Sequence, residues 1–181
     1  DDARASQSPL DHKRNSKSAV FQYAARRVHG NNGGRVVRRI QRDIRHEELV
    51  KRLTTGDSAV FKEIWRLLLF SAALGIRDGT RRPLTQVDSG KAMPESYFST
   101  PGWRGFLYLI GVYETGSSEC LKAATEQQDL LITLFEEYAN QGLYMLGERM
   151  QSAVVPLDEL VSLLTSVPVD NGSRPDVADL I

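Results

Sequence analysis

The chain has 181 residues, 41% of them hydrophobic and 25% charged, with 23 Lys+Arg against 23 Asp+Glu. That is long enough for one domain with a core plus tails, whereas the longest apolar run, Leu67 to Leu74 with one Ser, falls far short of the ~20 residues of a membrane span. Cys120 is the only cysteine, which excludes an internal disulfide and any zinc site needing several thiolates.

The expected setting is the cytoplasm: a reducing compartment fits the cysteine count, and no apolar leader segment opens the chain. A first residue of Asp1 rather than Met reads as a processed or trimmed end. Zero net charge hides an asymmetry, because residues 1–52 carry 13 Lys+Arg and 6 Asp+Glu while residues 53–181 carry 10 and 17. A basic end on an acidic body suggests an arm that meets a polyanion or an acidic surface, with a solvated disordered tail as the plain alternative.

Residues 1–34 read as a flexible basic and polar arm, with a short helix from Ala19 to Val28 and a hinge at Gly30–Gly34. The hinge is no phosphate-binding loop, since no strand leads into it and no Lys-Ser/Thr follows. Residues 35–167 form the expected single helical domain, and 168–181 a disordered tail. The domain opens on an extended or loosely helical basic segment that enters a helix from about Ile44 to Leu53, with acidic residues in its first turn and Thr54-Thr55-Gly56 at its end.

Asp57 or Ser58 then suits the N-cap of a central helix over about 58–75, apolar around most of its circumference and so buried on several sides, with Gly75 as its C-terminal cap. At ~1.5–3 kcal/mol per large buried side chain, it is expected to be the largest source of stability. Turn-rich sequence follows, with room for a small β-hairpin near 82–98. Trp103–Thr115 reads as a second core helix, although Gly105 and Gly111 weaken it. Glu126–Met150 is a long amphipathic helix with Glu136 and Glu137 off its apolar face, and a bend is expected near Asn140-Gln141-Gly142. Pro156 opens a last helix whose apolar side is Leu157, Leu160, Val161 and Leu164. The fold class is therefore mainly α.

No catalytic constellation stands out. His46-Glu47-Glu48 is better explained as a first helical turn than as metal ligands, and the neighbours Glu136 and Glu137 lie about 100° apart on a helix, as solvated surface would. Asp11-His12-Lys13 has the acid-x-Lys spacing of some nucleases but sits in the arm. No metal, cofactor or small-molecule substrate is indicated. The arginines are the better lead: Arg35, Arg38, Arg39, Arg42 and Arg45 form a dense group, and Arg77, Arg81 and Arg82 flank the turn after the central helix. Their planar forks of donors match phosphate geometry without reading sequence. For Arg81 and Arg82, pairing with acids such as Glu114 or Glu136 is an equal alternative. The N-terminal group has no nearby acids to match it, which favours a polyanion or an acidic protein partner.

From about Arg38 to Met150 the chain resembles the fourth protein associated with the Dnd system, also called DNA phosphorothioation-associated protein four. The likeness is carried by RDIRHEELVKRLT, by FKEIWRLLLFSAALG with the Arg82-Pro83-Leu84 turn after it, by Phe106–Ile110 with Glu114, and most specifically by ITLFEEYANQGLYML. It implies a bacterial gene neighbourhood concerned with DNA phosphorothioation and phage restriction, and brings no catalytic residues. The arm before Arg35 and the extension after Met150 depart from it.

These readings lead to a non-enzymatic DNA-binding or assembly subunit of an anti-phage defence system, with larger protein subunits as partners and no membrane contact. An adaptor or regulator that touches only protein is the alternative. A nuclease with a composite site using Asp11 or Glu114 is the third and weakest option.

Overall fold

The computed structural model describes residues 38–98, 102–122 and 124–166. The arm with its Ala19–Val28 helix, Arg35 and the tail from 168 lie outside the described residues. The mainly-α class is what the described residues show: α1 (Glu47–Thr54), α2 (Ile64–Asp78), α3 (Trp103–Thr115), α4 (Thr125–Met150) and α5 (Pro156–Thr165), joined by loops with short 3-10 turns.

The basic lead-in, residues 38–46, is extended until Asp43 accepts the Arg45 backbone N–H and starts a 3-10 turn, Ile44–His46, that runs into α1. Glu47 and Glu48 occupy the first turn of α1, as expected for acids at the positive end of a helix. No strand occurs among the described residues, and 82–98 is not a hairpin. The N–H and C=O of Met93 are both taken by Ile40, at 2.9 and 2.8 Å, and Val87 bridges to Asp43, so this stretch lies against the lead-in rather than on itself.

α2 starts five or six residues later than the Ser58 or Asp57 cap implies. The N–H groups of Val60 and Phe61 both bond to the Leu53 carbonyl at 3.0 Å, so this part of the chain closes the end of α1 instead of opening a helix. α2 also continues past Gly75 to Asp78, and Gly79, left-handed at φ 73°, is the cap. Gly75 has another use. A Cβ there would stand 2.3 Å from the Tyr138 carbonyl oxygen, and one at Gly142 would stand 1.9 Å from the Ser71 carbonyl oxygen. The two glycines let α2 and α4 meet backbone to backbone, and α4 runs as one helix through the position where a bend was expected.

α2 is buried along one side, but the helix enclosed on most sides is α4, in which every residue from Leu130 to Asn140 is buried. Phe135 packs edge-on against both Phe98 and Trp103, which stack on each other at 4.2 Å between centroids. Gly111 lets α3 approach Leu131 and Cys120 closely, so this glycine serves packing rather than weakening the helix. α5 begins with Pro156 in its first turn as expected, yet turns Pro156, Leu160 and Leu163 inward, while Leu157, Val161 and Leu164 are about half exposed. The sequence pattern could not separate these two apolar sides, because both carry apolar residues at spacings of three and four.

Candidate nucleic-acid interface

α4 carries polar side chains into the interior: Thr133, Glu136, Glu137 and Asn140 are all buried, and their spacing of three and four places them on one side of the helix. Glu136 and Glu137 are therefore not solvated surface. Each is covered by an arginine from far along the chain, and their 100° separation sends them to different partners. Arg38 donates to Glu136 Oε2 at 2.9 Å, Thr133 Oγ1 at 2.8 Å and the Asp129 carbonyl, while the Gln41 N–H reaches Glu136 Oε1 at 2.8 Å. Arg81 bridges Glu137 at 2.8 Å and Glu114 at 3.3 Å. Glu114 also accepts from the buried Tyr138 hydroxyl, whose pKa is driven far above the usual phenol range by burial and by that carboxylate. Arg82 stacks over the Tyr144 ring at 3.8 Å and donates to Gln141.

Asp43 is fully buried and serves as a second knot. Its carboxylate accepts from the Arg45 side chain (3.0 Å), the Thr85 N–H (2.9 Å) and hydroxyl (3.0 Å), and the Gln86 N–H (3.3 Å). Burial alone would raise its pKa, but Arg45 and the converging N–H groups outweigh it and hold the carboxyl far below the usual range.

Asn140 fixes a neighbouring proton. Its amide NH2 donates to the carbonyls of Arg82 and Pro83, so its oxygen is the acceptor facing His46 Nε2 at 2.9 Å, and that nitrogen must carry hydrogen. Burial lowers the His46 pKa; Asn140 and Asp43 oppose this, and Arg45 and Arg82 add to it. The unfolded chain therefore binds a proton before the folded one does. Stability from this site is complete above the ordinary histidine value of ~6.5 and falls as pH drops below it, by at most about 1.4 kcal/mol per pH unit. Urea midpoints at pH 7.5 and 5.5 should thus fall for the natural chain and stay flatter for His46→Gln; equal slopes would refute this assignment.

The eight arginines singled out by sequence are not brought together. Arg35 lies outside the described residues. Arg38, Arg45 and Arg81 are in internal ion pairs, Arg82 is stacked, and Arg42 is buried with bonds to the Lys91 carbonyl (2.7 Å) and Glu47 (3.1 Å). The equal alternative for Arg81, pairing with Glu114 on the body, is the arrangement found, and the N-terminal group does have acids to match it: Glu47 for Arg42 and Asp43 for Arg45 close by in the chain, and the distant Glu136 for Arg38. Arg39 and Arg77 are exposed and make no ion pair among the described residues. They are not neighbours along the fold: Arg77 lies near the far end of α2, about 20 Å along the helix from its start.

What the fold does assemble is an open groove of about 710 Å³, lined by Arg39 and Arg42 of the lead-in, Lys62 ahead of α2, and Lys91 from the turn Ser89–Lys91. Sequence reading missed Lys62 and Lys91, each an ordinary lysine in its own segment. The first turn of α2, Ile64 and Trp65, forms part of the wall. The N-cap residue of α2 is Glu63, whose side chain makes no capping bond among the described residues, so the unpaired N–H groups of the first turn add positive potential that the Glu63 carboxylate partly offsets. Glu63 also lines the groove, with its carboxylate held 3.2 Å from Arg66. Arg42 keeps its buried Nε–H without an acceptor among the described residues.

Among the described residues no three His, Cys, Asp or Glu side chains stand where they could share a metal ion. Glu114, the acid of the nuclease option, is committed to Arg81 and Tyr138, and Asp11 lies outside the described residues. A family model described as DNA sulphur modification system-associated protein 4 matches residues 39–180, well over half of the chain. The chain belongs to that family. The resemblance drawn from sequence is correct in kind and too short in extent, since the DNA sulphur modification system-associated protein 4 model continues through α5 to residue 180. The part after Met150 is thus no departure from the family, whereas residues before 39 lie outside the match. No curated protein and no solved structure matches the chain. Membership associates the protein with a DNA sulphur modification system, and no described helix is long and apolar enough to cross a membrane.

Proposed function

We propose that this DNA sulphur modification system-associated protein 4 is a non-enzymatic, cytoplasmic subunit of an anti-phage defence system that holds nucleic acid by its phosphates while larger protein subunits do the chemistry. The observation that carries this reading is the groove. Arg39 and Lys62, with no ion pair among the described residues, line one concavity with Arg42 and Lys91, which share Glu47, beside the start of a helix, an arrangement suited to anions and indifferent to base sequence. The exposed guanidinium of Arg39 and the ammonium of Lys62 are the principal phosphate contacts. Arg38, Arg45 and Arg81 belong to the fold and drop out of the binding set.

Binding of this kind depends steeply on salt, with a log–log slope of about −0.9 per phosphate contact on duplex DNA and about −0.7 on single strands. Lys62→Ala and Arg39→Ala should each weaken binding evenly across sequences and make the slope shallower by about one contact, measured by fluorescence anisotropy between low and moderate salt. A protein that shifts neither duplex nor single-stranded DNA at low salt would end this reading. The adaptor reading draws on the half-exposed Leu157, Val161 and Leu164 of α5; co-purification with larger subunits by a chain that binds no DNA at any salt would favour it.

A further inference from the structure

We infer that the groove takes an unpaired DNA strand in preference to a duplex, with a phosphate at the start of α2 and a base stacked on Tyr97. This rests on the phosphate-binding reading above and assigns the form of nucleic acid to it.

The shape is the first argument. A duplex displays its phosphates on a broad convex surface with the bases stacked out of reach. Here the cations line an open concavity whose wall also carries an exposed ring, Tyr97. Of the two forms, only an unpaired strand offers such a wall both a phosphate and a free base face. A single strand can turn a phosphate inward and lay a base against the wall.

The wall supplies a surface for that base. Tyr97 lines the groove and is 59% exposed, and its ring is paired with no other aromatic ring among the described residues. Trp65 beside it is already occupied, with Phe98 at 6.4 Å and the Arg66 guanidinium at 5.0 Å from its ring. An exposed aromatic residue alone needs no explanation. One on the wall of a basic groove has the pairing of ring face and cations by which proteins hold single strands, each stack being worth ~1–3 kcal/mol.

Arg42 supplies the third argument. One terminal nitrogen is taken by the Lys91 carbonyl and the other by Glu47, which orients the guanidinium, while the buried Nε–H has no acceptor among the described residues. A buried donor left unsatisfied is uncommon and costly. A phosphate oxygen seated between Lys91, Lys62 and the N–H groups of α2 would supply the missing acceptor after a small adjustment of the Arg42 side chain.

The test uses the full chain, a labelled thymidine 15-mer, and the same strand annealed to its complement, with binding followed by anisotropy at low salt. The single strand is expected to bind at least ~10-fold tighter. Tyr97→Ala should weaken it about 5- to 150-fold with the salt slope unchanged, Tyr97→Phe should bind like the natural chain, and Lys62→Ala should reduce the slope by about 0.7. Equal or tighter duplex binding, or indifference to Tyr97→Ala, overturns the inference and leaves the phosphate-binding reading standing. Failure to bind either form overturns both.

Discussion

Replacing Gly142 with alanine should cost about 3 kcal/mol of stability and lower the melting temperature by roughly 10 °C. The added methyl would stand 1.9 Å from the Ser71 carbonyl oxygen, which belongs to the backbone of α2 and cannot rotate away. Relief requires the whole of α2 to move off α4, opening the most extensive helix pair in the fold. Alanine's better helix propensity, worth about 1 kcal/mol, recovers only part of that. Gly105 provides the control. It lies in α3 with nothing within 4 Å of an added Cβ, so Gly105→Ala should stabilise by about 0.5–1 kcal/mol. Urea denaturation of both variants checks the pair, and a Gly142→Ala protein as stable as the natural chain would contradict the close crossing.

Asp43→Ala should cost about 3–5 kcal/mol, because it removes one buried carboxylate and orphans several donors at once: the N–H groups of Thr85 and Gln86, the Thr85 hydroxyl and the Arg45 side chain. The effect has a pH signature. The folded-state pKa of Asp43 is far below the ordinary carboxylate value, so its contribution is complete above about pH 4 and is lost as pH falls further. The stability gap between the natural chain and Asp43→Ala, measured by denaturant midpoints, should be constant from pH 8 to 5 and shrink in stronger acid. A gap that stays constant down to pH 2 would show that the Asp43 carboxylate is not what holds this knot.

Sequence reading reached the helices whose faces are defined by their own residues. Trp103–Thr115, Thr125–Met150 and the proline-led α5 follow from apolar spacing and from Pro156. It failed where the partner is remote. Glu136 and Glu137 look like surface to any local pattern, and only the arrival of Arg38 and Arg81, 98 and 56 residues away, buries them. For the same reason α4, with its charged residues, appeared less central than the more apolar α2. Val60 and Phe61 fit the helical spacing of α2, but the pattern cannot reveal that their N–H groups close the previous helix.

The candidate site shows the same limit from the other side. Density of arginine along the chain marks where positive charge is made, not where it is left unmatched, so Arg38, Arg45 and Arg81 stood out and are internally neutralised. At the groove Arg39 and Lys62 have no ion pair among the described residues, Arg42 and Lys91 share Glu47, and Lys62, Lys91 and Tyr97 come from segments with no signal of their own.

The fastening of the lead-in to α4 also bears on how the protein is made. Arg38 emerges from the ribosome 98 residues before Glu136, and Arg52, which closes onto the Met150 and Ala153 carbonyls, waits a similar span. At synthesis rates of ~5–20 residues per second, the interval is roughly 5–20 s. Throughout it α2 has no α4 to lie against, and Arg38, unlike Arg42 and Arg45 with Glu47 and Asp43 close by in the chain, lacks the acid that later pairs with it. The basic segment is thus the first described part to be made and among the last to be secured.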